Sequence, residues 1–367
     1  MSDMDKLVEL QVEFLREAAR QLKRVQELAE RERKMTGFCI GNTTKYSGGD
    51  WFFSPILNTF RLIAGSVIVN RVSLAEEIAR FLDGKVEYIA VDVEKKIPRE
   101  QYGPRDVGNI ERAVRRTVKK SKLLTFKGND LTVDAIDCLM GQLVKHDERG
   151  LGGKKVVIIG SGNIGFKLAL RLVEQGSNVT IVRRDKEKLD TIVKALNYVK
   201  PSETMAMISG TTDADSAVVG AQFLIGLTPG THSISRSMIQ AVAPTAVLID
   251  GGKGSFGPDA LRCAEDRGLR VYRADIRASF QARVEMLLGM EAILEKNLGR
   301  RKIQGVSVVS GGLLGKIDEV VVDNVHAPTQ VHGVADGCGD FIRVLSKDQL
   351  ECVHIVERYI SEKLRNN

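Results

Sequence analysis

Cysteine is scarce in this chain. The five present, Cys39, Cys138, Cys263, Cys338 and Cys352, form no C-x-x-C pair. They are too scattered for a disulfide framework and read as reduced thiols. Histidine is as sparse, with five residues. The one stretch that gathers two of them beside a thiol, through Asp323, His326, His332, Asp336 and Cys338, matches no zinc spacing, so no metal is expected. Aromatic residues make up 5% of the chain, with one tryptophan. The basic residues lie along helices without interleaved aromatics, which excludes the common nucleic-acid modules despite a net charge of +7. No apolar run approaches the roughly 20 residues of a membrane span. Charge from Asp3 onward argues against a secretory leader. The expectation is a cytoplasmic protein with no membrane or nucleic-acid partner, whose positive charge suits an anionic small molecule.

What is abundant is the alternation of apolar, strand-like runs with amphipathic, helix-like ones. With 43% hydrophobic and 28% charged residues, 367 residues suffice for two domains with proper cores. The expected class is α/β: an N-terminal α/β substrate domain over residues 1–150, a Rossmann, doubly wound domain over 151–298, and a C-terminal extension over 299–367. The segment His146 to Gly153, polar and glycine-rich, marks the boundary.

The chain is organised around Lys154 to Gly165, where the β-branched run Val156-Val157-Ile158-Ile159 ends in Gly160-Ser161-Gly162-Asn163-Ile164-Gly165 and an amphipathic helix follows. A G-x-G-x-x-G turn between strand and helix is a dinucleotide fingerprint in its confirming context. Gly160 permits the turn, Gly162 lets backbone approach a pyrophosphate, and Gly165 lets helix and strand pack closely. The helix N-terminus supplies free N–H groups and a positive dipole end. A helix from Phe166 to Glu174 and a strand from Val179 to Val182 complete a βαβ unit.

Cofactor choice is written after that second strand. An NAD site places an acid there for the ribose hydroxyls, whereas this chain reads Arg183-Arg184-Asp185-Lys186-Glu187-Lys188. Guanidinium groups grip a 2′-phosphate bidentately and a carboxylate repels it, so NADP is favoured over NAD, with Arg183, Arg184 and Lys188 as its cations. Asp185 is left as either a helix cap or a ribose ligand.

Taken from the start, Asp3 to Lys34 has a helical period with Leu7, Phe14, Ala18, Leu22, Val25 and Leu28 on one stripe. That face docks on its own domain or on a second copy, and a homodimer contact is expected. Gly37 to Thr43 reads as a strand. It leads into a loop in which Thr43, Thr44, Lys45 and Ser47 are suited to a small polar substrate, and Trp51 either touches that substrate or anchors the loop. Phe53 to Ala64 reads as helix, Ser66 to Asn70 as strand, Ser73 to Asp83 as helix and Val86 to Val91 as strand. A helix over Asp106 to Lys119, a strand over Lys122 to Phe126 and a helix over Leu131 to Lys145 follow.

The corner Thr125 to Ala135 brings Lys127, Asn129, Asp130 and Asp134 to a strand-to-helix junction, where α/β sheets place ligands. Lys127 is the leading acid/base candidate, tuned by Asp130 or Asp134, with Lys45 its rival and Asn129 a substrate contact. The bland alternative gives Asp130 a capping role and Asp134 a place on the exposed first turn. Strands at Met205 to Ile208, Phe223 to Leu227, Ala246 to Ile249 and Arg270 to Arg273 continue the Rossmann pattern. Thr228 and Pro229 end one of them at the nicotinamide edge. Arg277, just before a helix read over Phe280 to Leu298, is a candidate carboxylate clamp. Strands at Val306 to Ser310 and Glu319 to Val322 precede a last helix, Asp348 to Leu364, read as returning to the first domain.

This layout resembles the two-domain shikimate dehydrogenase and methylenetetrahydrofolate dehydrogenase group. Arg183 to Lys188 is similar to that group's N-R-T-x-x-[RK] segment for NADP, and Asn129 to Asp134 resembles its N-T-D corner. Met286-Leu287-Leu288-Gly289-Met290 departs from the M-L-x-x-Q of the shikimate enzymes by lacking the glutamine. Gly160 to Phe166 and the Thr228-Pro229 turn also resemble the dehydrogenase that finishes pyrrolysine biosynthesis, which oxidises an amino-acid-derived amine. The resemblance implies an NADP-dependent oxidoreductase acting on a small polar substrate of amino-acid or imine type between two domains. The alternative is a non-catalytic NADP sensor or partner-binding protein, distinguished by cofactor binding without turnover.

Overall fold

The structure, a computed structural model, describes residues 3–43, 49–97, 110–228 and 230–365, with side chains from residue 12 onward. It divides into two compact units, residues 1–283 and 284–367.

The first unit opens with α1 (Asp3–Glu32). Phe14, Ala18, Leu22, Val25 and Ala29 recur every three or four residues and are all buried. They share cores with Phe38, Ile40, Ile63 and Val67 of the first sheet, and the Phe14 and Trp51 ring centroids lie 5.1 Å apart, tilted at 59°. From Phe14 onward, the stripe expected to meet a second copy is therefore covered by the molecule's own sheet. Trp51 is an anchor of that packing.

That sheet has the order β2-β3-β1-β4-β5, from β1 (Met35–Asn42), β2 (Trp51–Asn58), β3 (Leu62–Val69), β4 (Tyr88–Asp92) and β5 (Lys122–Phe126). All but β2 run parallel, and β2 pairs antiparallel with β3. The helix expected over 53–64 is thus a hairpin. Its aromatic and β-branched residues suit a pleated surface. Pro55 is tolerated because β2 is the edge strand and its register shifts between Ser54 and Leu57. α2 (Val72–Leu82) and α3 (Ile110–Thr117) are the crossover helices.

From β5 the chain enters α4 (Gly128–Leu143). Val133, Ile136 and Met140 of this helix share a core with Val156, Ile158 and Leu168. Residue 150, where the boundary is expected, lies inside the first compact unit, and the buried face of α4 joins the core of the second sheet.

The second sheet has the order β11-β10-β9-β6-β7-β8, parallel throughout. Its strands are β6 (Lys155–Ile159), β7 (Asn178–Val182), β8 (Ile208–Thr211), β9 (Phe223–Gly226), β10 (Val247–Asp250) and β11 (Arg270–Arg273), with α5 (Asn163–Glu174), α6 (Lys186–Val199), α7 (Ala214–Val218), α8 (Arg236–Ala241) and α9 (Pro258–Asp266) between them. This is the doubly wound dinucleotide-binding order, with its switch point between β6 and β9. The strand expected at Met205 to Ile208 starts later, since Met205 stays exposed and Ile208 is the buried residue that joins the core.

α10 (Arg277–Ala292) leads into the second unit, continues as a π-helical turn (Ile293–Asn297), and is followed by β12 (Arg300–Ile303), β13 (Val306–Ser310), β14 (Val320–Val322), β15 (Val331–Val334) and α11 (Lys347–Arg365). These strands form one sheet in chain order. Val356 and Ile360 of α11 are buried with Val308, Val322 and Val334. The last helix, expected to return to the first domain, packs on the small sheet of its own unit, where Val356 and Ile360 join the core. Among the described residues, no helix is long and apolar enough to cross a membrane.

Candidate functional site

At the end of β6, Gly160 takes φ +106°, the left-handed half of the map that glycine adopts without strain. A Cβ on Gly165 would lie 2.3 Å from the Gly160 carbonyl oxygen, whereas one on Gly162 would meet nothing within 4 Å. The turn is therefore closed where helix meets strand and open where a ligand's phosphates would approach. Asn163, Ile164 and Gly165 begin α5 at this point, with N–H groups free for an anion. The loop after β9 lies alongside, since a Cβ on Gly160 would meet Leu227 carbonyl atoms and Thr228 Cγ2 at 3.1 Å.

At the end of β7 the two arginines differ. Arg183 is half-buried, and its Nη1 donates to the Ser161 carbonyl and to Ser161 Oγ, both at 3.1 Å. Its Nε is buried without a protein acceptor. Arg184 is exposed. Asp185 caps α6, accepting from the Lys188 backbone N–H at 3.1 Å, and the Lys188 ammonium stands 3.7 Å from the same carboxylate. The single acid at this strand end is spent on the helix. An open cradle at Gly162, a helix N-terminus and two arginines, one holding an orphan buried donor, fit a 2′-phosphorylated dinucleotide.

The corner expected to carry catalysis is tied largely to α5. Asp130 pairs with Lys167 at 2.5 Å. Asp134 pairs with Arg171 at 2.6 Å, which also reaches Asp137. Both carboxylates thus hold α4 against α5. Lys127 is exposed and stands 3.8 Å from Asp130. Asn129 Nδ2 donates to Asn163 Oδ1 at 3.4 Å, joining the start of α4 to the start of the dinucleotide helix.

One cluster escaped the sequence reading. Asp92, the last residue of β4, is 2% exposed, and Lys96 lies 3.0 Å from its Oδ2 and 2.8 Å from Glu94 Oε2. Glu94 Oε2 also accepts from the Asn129 backbone N–H at 2.9 Å, and the Gly128 N–H donates to Asp92 Oδ1 at 3.4 Å. The acids therefore sit at the positive end of the α4 dipole. A Cβ on Gly128 would stand 3.2 Å from both Asp92 Oδ2 and Lys96 Nζ. Asn42, at the end of β1, donates to the Glu94 carbonyl at 2.8 Å. Burial pushes the Asp92 carboxyl above the ordinary range, against the pull of Lys96. Burial would lower Lys96, but Asp92 and Glu94 outweigh it and hold the ammonium above its usual value. The available signal was Asp92-Val93-Glu94-Lys95-Lys96 directly after a buried strand, at the edge where parallel sheets bind ligands.

Among the other candidates, Thr43 lies just past β1, its N–H donating to the Val69 carbonyl at 3.1 Å. Thr228 Oγ1 bonds Ser233 Oγ, and its backbone N–H donates to Ser255 Oγ at 3.2 Å. Arg277 is exposed and chelates Asp275, so its guanidinium already has a carboxylate. Lys253, on the loop after β10 and at φ +58°, places its ammonium 5.4 Å over the Phe52 ring of β2. Thr44, Lys45, Ser47 and Pro229 lie outside the described residues. In the second unit Asp323 accepts from Thr329 and Gln330, and Asp336 from Cys338 and Asp340, so these acids close turns.

Residues 155–234 match the family described as NADP oxidoreductase, coenzyme F420-dependent. Over these residues the chain is similar to NADP oxidoreductases. A cinnamate reductase of Clostridium sporogenes is 27% identical over 40% of this chain and 25% of its own length. A glycerol-3-phosphate dehydrogenase [NAD(P)+] of Clostridium botulinum is 29% identical over 27% of this chain and 32% of its own length. The chain spans about a third or less of these curated relatives. Among solved structures, a glutamate dehydrogenase of Thermus thermophilus aligns with 13% identity and a TM-score of 0.42, covering 71% of this chain and 70% of that one. L-tryptophan dehydrogenase of Nostoc punctiforme aligns with 14% identity and a TM-score of 0.40, covering 70% and 75%.

Proposed function

We propose that this chain is an NADP-dependent oxidoreductase whose substrate is a small polar molecule of amino-acid or imine type, bound between the carboxyl edges of the parallel strands of the two sheets of residues 1–283. The observation that carries the reading is the Asp92–Lys96–Glu94 cluster, which reaches the dinucleotide turn through Asn129 and Asn163. The match to an NADP oxidoreductase family and the relatives named for NAD(P)+ support the cofactor class.

Gly162 and the first N–H groups of α5 would hold the pyrophosphate, Arg183, Arg184 and Lys188 the adenosine end, and Thr228 the nicotinamide side. When bound, the nicotinamide supplies the redox chemistry. Lys96 holds the proton that a substrate nitrogen or oxygen gains. Asp92 and Glu94 keep that ammonium charged and fixed, and their negative excess favours a cationic amine or iminium partner over an anion. Lys127, exposed and only loosely paired, is the rival proton donor.

The test is turnover of NADPH or NADP with a panel of imines, amino acids and hydroxy acids, followed by cofactor absorbance. Turnover on an amino-acid or imine compound is expected. Tight NADPH binding without turnover on any of them would favour a sensor.

A further inference from the structure

We infer that the second unit carries a binding site for a compact dianionic oxyanion, a phosphate free or borne by a small molecule, formed by Arg301 of β12 with Tyr359 and Lys363 of α11.

Successive side chains of β12 turn to opposite faces of its sheet. Arg300 turns to Glu319, 3.1 Å away. Arg301 and Ile303 turn to the other face, where Ile303 is buried with Val356 and Ile360 of α11. An arginine therefore stands beside an apolar helix–sheet core. Its Nη2 donates to the Tyr359 hydroxyl at 3.2 Å, and its Nε is buried with no protein acceptor. Folded proteins seldom leave such a donor unsatisfied. One turn further along α11, the Lys363 ammonium stands 5.3 Å from the centre of the Tyr359 ring, and the Arg301 guanidinium carbon stands 5.8 Å from it. Two cations thus converge on one phenol, and neither has an ion pair among the described residues. An aromatic ring attracts a cation, but it does not satisfy the Arg301 Nε–H or offset the repulsion between the two charges. Lys363, with Arg301 beside it, holds the Tyr359 hydroxyl below its ordinary value against partial burial. Because that hydroxyl accepts from the guanidinium, its own proton is left to donate. The three side chains together offer two positive charges and donors of three kinds, guanidinium, ammonium and phenol. A dianion matches that charge, whereas a carboxylate leaves one positive charge over. Lys363 is exposed and Tyr359 half-buried, so the group is open to solvent.

Titration calorimetry of the full chain with sodium phosphate, at about pH 8 where a phosphate is dianionic and at fixed ionic strength, tests the site. Arg301→Gln should weaken phosphate about ten- to a hundredfold and Lys363→Gln about tenfold, as expected for loss of charge-assisted contacts. Lys363 is exposed, so its variant keeps the measurement independent of folding should Arg301→Gln fold poorly. Acetate should bind at least about tenfold less tightly than phosphate. Methyl phosphate identifies the source: binding alongside phosphate assigns the site to phosphate monoesters, and exclusion assigns it to the free ion. Tyr359 supplies a local readout, because the difference between wild type and Tyr359→Phe isolates one phenol of six in an alkaline absorbance titration. Saturating phosphate should raise the ionisation midpoint of that phenol by about half a pH unit or more, since a bound anion offsets the cations that favour the phenolate. Phosphate binding that neither variant changes, a Tyr359 midpoint that phosphate does not move, or acetate bound as tightly as phosphate would each overturn the proposal.

Discussion

The position of a Gly165 Cβ and the carbonyl oxygen of Gly160 would be 2.3 Å apart, closer than any side-chain carbon approaches an oxygen, while Gly162 beside them faces open space. The same motif thus contains one glycine required by the fold and one required by the ligand. Gly165→Ala must push α5 off β6 and should cost about 1–3 kcal/mol, as overpacking does. Gly162→Ala should leave stability within about 0.5 kcal/mol yet weaken NADPH at least about tenfold by filling the phosphate approach. Thermal melts and cofactor titrations of the two variants check the contrast; a destabilised Gly162→Ala with intact binding would refute it.

Asp83 ties the end of α2 to the turn before β5, accepting from the backbone N–H groups of Lys119, Lys120 and Ser121 at 2.8–2.9 Å. Partial burial would raise its carboxyl, but these three donors outweigh that and hold it below its ordinary value. A carboxylate depressed in the folded state stabilises fully above the unfolded value, near pH 4, and loses that contribution as pH falls through the folded one. Asp83→Asn should therefore cost about 1–2 kcal/mol at neutral pH, and the gap from wild type should shrink below about pH 4. Urea unfolding at both pH values measures it, and a gap that widens in acid would contradict the assignment.

How legible was this in the sequence? The strand–turn–helix at Val156 to Gly165 and the parallel runs behind it carry local signals, a β-branched stretch and obligatory glycines, and these correspond to β6, α5 and the switch point. Phe53 to Ala64 misled because a short apolar run fits helix and strand alike. Only its pairing with β3 settles it, with Pro55 tolerated at the edge. The functional edge was half visible. Lys127, Asp130 and Asp134 stand on the right corner, yet Lys167 and Arg171, over thirty residues away in sequence, claim the two acids. Asp92 and Lys96 drew no reading, because the start of α4 that meets them lies 36 residues further along the chain.

The α1 stripe gives a test of assembly. Phe14 is fully buried against Trp51 and Phe53 of the same chain. Phe14→Ala should cost about 3–5 kcal/mol, by an amount independent of protein concentration. A melting temperature of wild type that rises with concentration, and a loss in Phe14→Ala that does likewise, would instead place α1 in a subunit contact.

The chemistry turns on which lysine moves the proton. Lys96 is held by two carboxylates at 2.8–3.0 Å beside the start of α4, while Lys127 is exposed with a single partner at 3.8 Å. A positioned acid or base contributes about a hundred- to ten-thousandfold, so Lys96→Ala should lower kcat by that range and leave NADPH affinity within about threefold. Lys127→Ala should retain most activity. Lys96→Arg separates proton transfer from charge: a guanidinium keeps the pairing to Asp92 and Glu94 but is a far weaker acid than an ammonium. It should preserve KM and stability while kcat stays low. Because the acids hold the Lys96 ammonium above its ordinary value, wild type should show no alkaline loss from this group until above about pH 10. A Lys96→Ala enzyme with near-full kcat beside a dead Lys127→Ala would return catalysis to the exposed corner.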